Sequence, residues 1–306
     1  METTDGPSQY YRPLEGKIAL VTGASRGQKL IPILENMANK LKGIGAGIAR
    51  NLASKGAKLI LNYTSTTSTQ ICNDLASDLT KAYGVQHIVV QADMGSLSGP
   101  GHIIQTAVSR IPNLRLDIIV NNAGIITVGS ISDCNMEEFD RVYSVNVRGP
   151  LLLMMAALPY LPYDRSGRVV NVSSISATIG LLGQSVFGGS KASLDAMTRS
   201  WAQELANRAT VNSINPGPVI TDMWQTADLT QFSISNDLKA HLTLAPLAQV
   251  RRGVDDEGMV KCAEIIGGRP ARVDEIAGIV GMLVSSESGW CTGQVICANG
   301  GLKMSM

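Results

Sequence analysis

Charge of either sign is scarce in this chain. Charged residues make up 17% of its 306 positions and balance to a formal net charge of +1 at pH 7. With no excess of basic residues there is no electrostatic footprint for a polyanion, so a nucleic-acid partner is not expected. Histidine is confined to His87, His102 and His241, far apart, and none of the five cysteines (Cys72, Cys134, Cys262, Cys291, Cys297) forms a CxxC pair. A metal site therefore has little to build on, and an odd, scattered cysteine set reads as reduced thiols. The stretch 1–16 is polar and lacks the apolar core of a leader. The longest apolar run, Leu151 to Leu158, falls well short of the ~20 residues that cross a bilayer. A cytoplasmic protein with no membrane partner is the expectation.

What the chain has in quantity is hydrophobic residues, 44%, and 31 glycines, enough for a large core with many tight strand–helix turns. Short apolar runs at 17–22, 57–63, 87–91, 116–120, 167–173, 210–215 and 294–298 read as buried strands. Helical periodicity falls between them, at 44–55, 73–83, 101–110, 136–158, 191–207 and 273–284. Strict alternation of this kind predicts an α/β fold: one doubly wound parallel sheet of about seven strands with helices on both faces. A single domain over 14–306 is expected, after a disordered tail at 1–13. Between 223 and 268 the pattern loosens into polar, glycine-containing sequence, expected to form a lid over a ligand at the carboxyl edge of the sheet.

Five motifs follow the strands in order. Thr22-Gly23-Ala24-Ser25-Arg26-Gly27 comes after the first, Ala92-Asp93-Met94 after the third and Asn121-Asn122-Ala123-Gly124 after the fourth. Ser174, with Lys191 beyond it, follows the fifth, and Pro216-Gly217-Pro218-Val219-Ile220-Thr221 the sixth. Together they resemble the short-chain dehydrogenase/reductase family, and within it the 3-oxoacyl-carrier-protein reductases and fungal polyketide ketoreductases. Gly268-Arg269-Pro270, Trp290-Cys291-Thr292-Gly293 and Asn299-Gly300-Gly301 agree with that group.

The resemblance implies a Rossmann-type sheet, a nicotinamide nucleotide along its carboxyl edge, a small carbonyl substrate and a homodimer or homotetramer. It assigns Gly23, Ser25, Arg26, Gly27, Ile44 and Gly45 to the pyrophosphate, and Asn62 and Thr64 to the adenosine ribose. Asp93 and Met94 fall to the adenine, and Asn122, Ala123 and Gly124 to the adjoining wall. Pro216, Gly217, Val219 and Thr221 are assigned to the carboxamide, and Lys191 to the ribose. An acidic residue at the end of the second strand would repel a 2′-phosphate. This chain offers Asn62-Tyr63-Thr64 there, with Arg26 to meet a phosphate dianion, so NADPH/NADP is the expected cofactor.

Two departures stand out. Residues 28–43 separate Gly27 from Ile44-Gly45, splitting a turn that the family keeps continuous. Leu30, Leu34, Met37 and Leu41 recur at helical spacing within this insert. It reads either as a small amphipathic element or as the translation of a retained short intron. The second departure is chemical. In the family a serine, a tyrosine and a lysine share the catalytic work, the tyrosine giving its proton to the carbonyl oxygen, and an asparagine supports a relay water. Ser174, Lys191 and Asn146 fall on those positions, but the tyrosine position is Phe187. Losing a placed general acid costs roughly a hundred- to ten-thousand-fold in rate. Three accounts of Phe187 stay open: a substitution made to trap a complex, a natural loss in a non-redox member (a binding protein, cyclase or isomerase), or slow turnover with a proton from elsewhere. An apolar ketone near Leu181, Leu182, Met223 and Trp224 is the expected substrate of a redox member.

Overall fold

The structure is a computed structural model that describes residues 12–25, 43–221 and 236–304. Arg26, Gly27, nearly all of the 28–43 insert, Met223, Trp224 and most of the expected tail lie outside the described residues.

In chain order the elements are β1 (Ile18–Val21), α1 (Ile44–Ser54), β2 (Lys58–Tyr63), α2 (Thr69–Tyr83), β3 (His87–Gln91), α3 (Gly99–Arg110) and β4 (Ile118–Asn121). Then come α4 (Met136–Tyr143), α5 (Gly149–Ala157), β5 (Gly167–Val172), α6 (Ser185–Glu204) and β6 (Ala209–Pro216). The described chain closes with α7 (Asn236–Leu244), α8 (Glu257–Ile266), α9 (Val273–Leu283) and β7 (Val295–Ala298). The seven strands form one all-parallel sheet in the order β3-β2-β1-β4-β5-β6-β7.

Strand alternation explains why the apolar runs are continuous. Ala19 and Val21 of β1 point into a core shared with α1, α2 and α9, while Leu20 between them joins the core under α3, α5 and α6. Leu59 and Leu61 part from Ile60 in the same way, as Ile118 and Val120 part from Ile119. Register aligns Leu20 with Ile60 on one side and Ile119 on the other, and all three are fully buried. Burying such a side chain stabilises by about 1.5–3 kcal/mol relative to leaving it exposed. The strand order reverses direction at β1, between β2 and β4, which opens a crevice at the carboxyl edge there.

Two helices differ from the pattern reading. The expected helix 136–158 is interrupted by a π-helical turn at Ser144–Arg148. Pro150 follows in the first turn of α5, and its missing N–H removes one α-helical bond back into that turn. Helix α6 begins at Ser185, six residues earlier than the expected 191. Gly188 permits this, since a Cβ there would come within 2.6 Å of the Ser176 carbonyl oxygen. Among the described residues no helix is long and apolar enough to cross a membrane.

Candidate active site

A cavity of about 590 Å³ lies along the carboxyl edge of the sheet, lined by residues that follow β1 through β6. At one end its wall is mainly backbone. Gly23 takes φ +64°, and a Cβ there would meet Ala123 Cα at 3.0 Å. A Cβ on Gly45 would fall 2.5 Å from both the Gly23 carbonyl oxygen and Asn122 Nδ2. The first turn of α1 is thus pressed onto the β1 turn, although 21 positions separate these glycines. Asn122 braces the arrangement, donating from Nδ2 to the carbonyls of Thr22 (2.8 Å) and Gly23 (3.2 Å). Thr22 Oγ1 accepts from the N–H groups of Asn122 and Ala123, both at 3.0 Å. Gly43 caps α1 without a side chain and lines the cavity with Ile44 and Gly45, so the positive end of the helix dipole lies at the cavity wall with no side-chain cap among the described residues. A cradle that a Cβ would fill, beside an uncapped helix start, fits a phosphate-bearing ligand. Gly43, Ile44, Thr64, Asp93, Met94 and Gly124 complete this end, with Pro216, Gly217, Val219 and Thr221 farther along.

At the other end the wall is side chains. Ser174, Phe187 and Lys191 all line the same cavity. Helix α6 carries Phe187 and Lys191 one turn apart, hence on one face. Lys191 Nζ donates to the Val172 carbonyl at 2.8 Å and stands 5.9 Å from the Phe187 ring centroid. Gly124 makes room for it, since a Cβ there would sit 3.1 Å from Nζ. Burial pulls the Lys191 ammonium down to about 8, against the opposing pull of Asp195 one turn on. Asp195 is pushed up by its own burial, although Ser213 Oγ donates to it at 2.6 Å. Ser174 Oγ accepts from the Ser176 N–H at 3.2 Å and donates to Ser176 Oγ at 3.1 Å. Ser176 in turn donates to Gln184 Oε1 at 2.6 Å.

Among the described residues, three expected at the site do not line the cavity. Asn62 is fully buried and its amide is used up: Oδ1 accepts from Gly23 N–H, and Nδ2 donates to the carbonyls of Tyr63, Val90 and Ala92. It shapes the glycine turn from beneath instead of meeting a ribose. Ser25 is buried beside that turn. Asn146, inside the π turn, clamps both the N–H and the carbonyl of Ile125 (2.9 Å each) and donates to Ser190 Oγ at 3.0 Å. Ser190 Oγ passes the hold to the Phe187 carbonyl at 2.7 Å. Leu181 lines the cavity, but Leu182 is 81% exposed and faces a neighbouring groove. The pattern reading missed Ser176, Gln184 and Arg141 on the cavity wall. No local signal marks Gln184, because only the folded 174–185 loop brings it to Ser176.

A parallel α/β sheet of this order, with a cleft for a phosphate-bearing ligand at one end and serine and lysine at the other, defines a dehydrogenase-type oxidoreductase. The chain belongs to the short-chain dehydrogenase/reductase family: the family model for short chain dehydrogenases matches residues 39–231. That match begins inside the 28–43 insert, downstream of the glycine turn. The chain is 43% identical to the L-xylo-3-hexulose reductase of Hypocrea jecorina (strain QM6a), over 96% of this chain and 99% of that one. It is 41% identical to the L-xylulose reductase of Aspergillus niger, over 95% and 99%. Among solved structures, a blue fluorescent protein from a metagenomic library in complex with NADPH superposes with a TM-score of 0.75 at 29% identity, covering 95% of this chain and 100% of that one.

Proposed function

We propose that this protein is an NADPH-dependent reductase that converts a ketone to a secondary alcohol, with a polyhydroxy ketone of sugar size as its substrate class. The observation that carries the reading is the convergence of Ser174, Phe187 and Lys191 on the cleft that also holds Gly23, Gly45 and Asn122. Gly23, Ile44 and Gly45 would hold the pyrophosphate, Thr64 the adenosine ribose, Asp93 and Met94 the adenine, and Lys191 the nicotinamide ribose. Pro216, Gly217, Val219 and Thr221 would hold the carboxamide. When bound, the nucleotide supplies a hydride. The absence of a carboxylate where β2 ends supports the phosphorylated form, as does the NADPH complex of the structural relative.

Ser174 orients the carbonyl oxygen through its hydroxyl, and Ser176 and Gln184 fix the rotamer of Ser174. Asn146 and Ser190 pin the start of α6, so that Lys191 stays beside Gly124. The hydroxyl and amide groups of Ser174, Ser176 and Gln184 favour a hydroxylated substrate over the apolar ketone that Leu181 and Leu182 suggest, and so do the names of the two 41–43% relatives. The stretch 223–268 serves as a lid: Leu242, Ala245 and Ala248 in its described part pack against Leu181 on the cavity wall. The protein works as a homo-oligomer, for which the exposed Leu151 and Met155 on α5 offer an apolar face.

Phe187 favours a second reading, a protein that binds nucleotide and ligand without redox chemistry. Consumption of NADPH with L-xylulose and related ketoses, in this chain and in Phe187→Tyr, separates the two. Turnover in the tyrosine form supports a reductase site, whereas tight binding with silence in both forms supports the non-redox reading. Calorimetry of NADPH binding with and without residues 28–43 tests the phosphate end alone. Little change after deletion is expected, because Gly45 already packs on Gly23, and abolished binding would make the insert part of the site.

A further inference from the structure

We propose that in this chain Lys191 is the proton donor to the reduced carbonyl oxygen, acting through one water molecule at the edge of the Phe187 ring. The proposal rests on the reductase reading above and assigns the step that Phe187 leaves without a phenol.

Lys191 is 5% exposed and has three N–H donors. One goes to Val172 O at 2.8 Å, which leaves donors free for the cavity. Nζ stands 5.9 Å from the Phe187 ring centroid on the wall it shares with Phe187 and Ser174, and two hydrogen bonds of ~2.8 Å in series, through one water, carry its reach into that cavity. The hydroxyl rivals are weaker. Ser176 already donates to Gln184 Oε1, and Ser174 orients the carbonyl oxygen without giving up its proton. A serine hydroxyl, moreover, does not ionise in the range where an amine does. Asp195 on α6 is the carboxylate that acts on Lys191, and burial still brings the ammonium down to about 8. The contacts from β5 (Val172, Ser173), from the π turn (Asn146) and from the β4 loop (Gly124) bring no titratable side chain, and Asp93 and Arg141 are the other charged groups on the cavity wall.

The step balances. The carbonyl oxygen holds the electron pair displaced by hydride from the reduced nucleotide. It takes a proton from the water as the water takes one from Nζ. One N–H bond breaks, one O–H bond forms on the product, and the neutral amine regains its proton from solvent.

The test is Lys191→Arg, made both in this chain and in Phe187→Tyr. A guanidinium keeps the positive charge but does not give up a proton. In the phenylalanine chain the exchange is expected to lower ketose reduction at least about tenfold, the lower range for a lost proton donor being larger still. In the tyrosine background Lys191→Arg also lowers the rate, because Lys191 holds the nicotinamide ribose there, so the two backgrounds are separated by their pH profiles: the amine sets the fall at high pH only in the phenylalanine chain. The rate in the phenylalanine chain should also fall about tenfold per pH unit above the titration point of the amine. Independently of any variant, NMR titration of the nucleotide-free protein should place the Lys191 amine well below the range of exposed lysines. A phenylalanine chain whose rate does not fall as the Lys191 amine loses its proton, or a Lys191 that titrates like an exposed lysine, overturns the proposal. A tyrosine form that turns over while the phenylalanine chain is silent overturns it too, and leaves the reductase site standing. A tyrosine form that binds NADPH and reduces no ketose sinks the reductase reading itself.

Discussion

At the nucleotide end of the cleft the wall is backbone: Gly23, Gly43 and Gly45, with Asn122 bracing the turn from the side. At the reaction end it is side chains, Ser174, Phe187 and Lys191, held by Asn146, Ser190 and Ser176. The first end is broken in sequence, since residues 28–43 interrupt its motif, yet its two halves meet in space. The second keeps its spacing and its geometry and lacks one oxygen atom. Backbone recognition survives an insertion because it depends on where N–H groups point, whereas proton transfer depends on one particular atom. The chain is therefore expected to have lost little nucleotide affinity and much rate.

The largest effect expected tests that asymmetry. Phe187→Tyr should raise kcat by roughly a hundred- to ten-thousand-fold, while the Kd for NADPH, measured by calorimetry, changes less than about threefold. A large change in Kd would mean that the two ends are not separable. Next is the buried ammonium. Because its folded pKa, about 8, lies below the ordinary 10.5, charged Lys191 opposes folding below pH 8. That cost is relieved as the pH rises from 8 toward 10.5, since the unfolded chain then binds the extra proton. Relative to Lys191→Met, the chain should gain on the order of 3 kcal/mol across that window in urea unfolding. A flat difference would show that the reaction end is more solvated than its geometry implies.

Gly45→Ala probes the other end. The new Cβ would collide with backbone at Gly23, and overpacking of this kind costs about 1–3 kcal/mol. NADPH affinity should drop with the thermal midpoint, and kcat in the tyrosine background should hardly move. Ser176→Ala has the smallest effect. It removes the hydrogen bond to Gln184 and the one from Ser174, and should cost about 1 kcal/mol in kcat/KM in the tyrosine background, with nucleotide affinity unchanged. An equal loss in both would place Ser176 at the nucleotide.

The sheet was legible because its strands are buried on both faces: runs such as Ile18–Val21 and Ile118–Asn121 are apolar without alternation, and the motifs mark each strand's carboxyl end. The helix boundaries were less so. Nothing local to Ser144–Arg148 announces a π turn, and Gly188-Gly189 looks like a loop until Ser176 is seen packed against it. Asn62 shows the same limit in the site itself. Its position after the core of β2 suggests a ribose contact, but four hydrogen bonds inside the sheet edge consume its amide.

By itself the sequence determined the order of the elements, the family resemblance and the identities of serine, phenylalanine and lysine at their spacings. These are properties of periodicity and residue type along the chain. Only the tertiary structure decided that Gly45 closes on Gly23 across the insert, that Lys191 is desolvated with donors to spare, and that Gln184 reaches Ser176. Each of these depends on atoms from separate segments coming within a few ångströms of one another, and on the water their packing excludes.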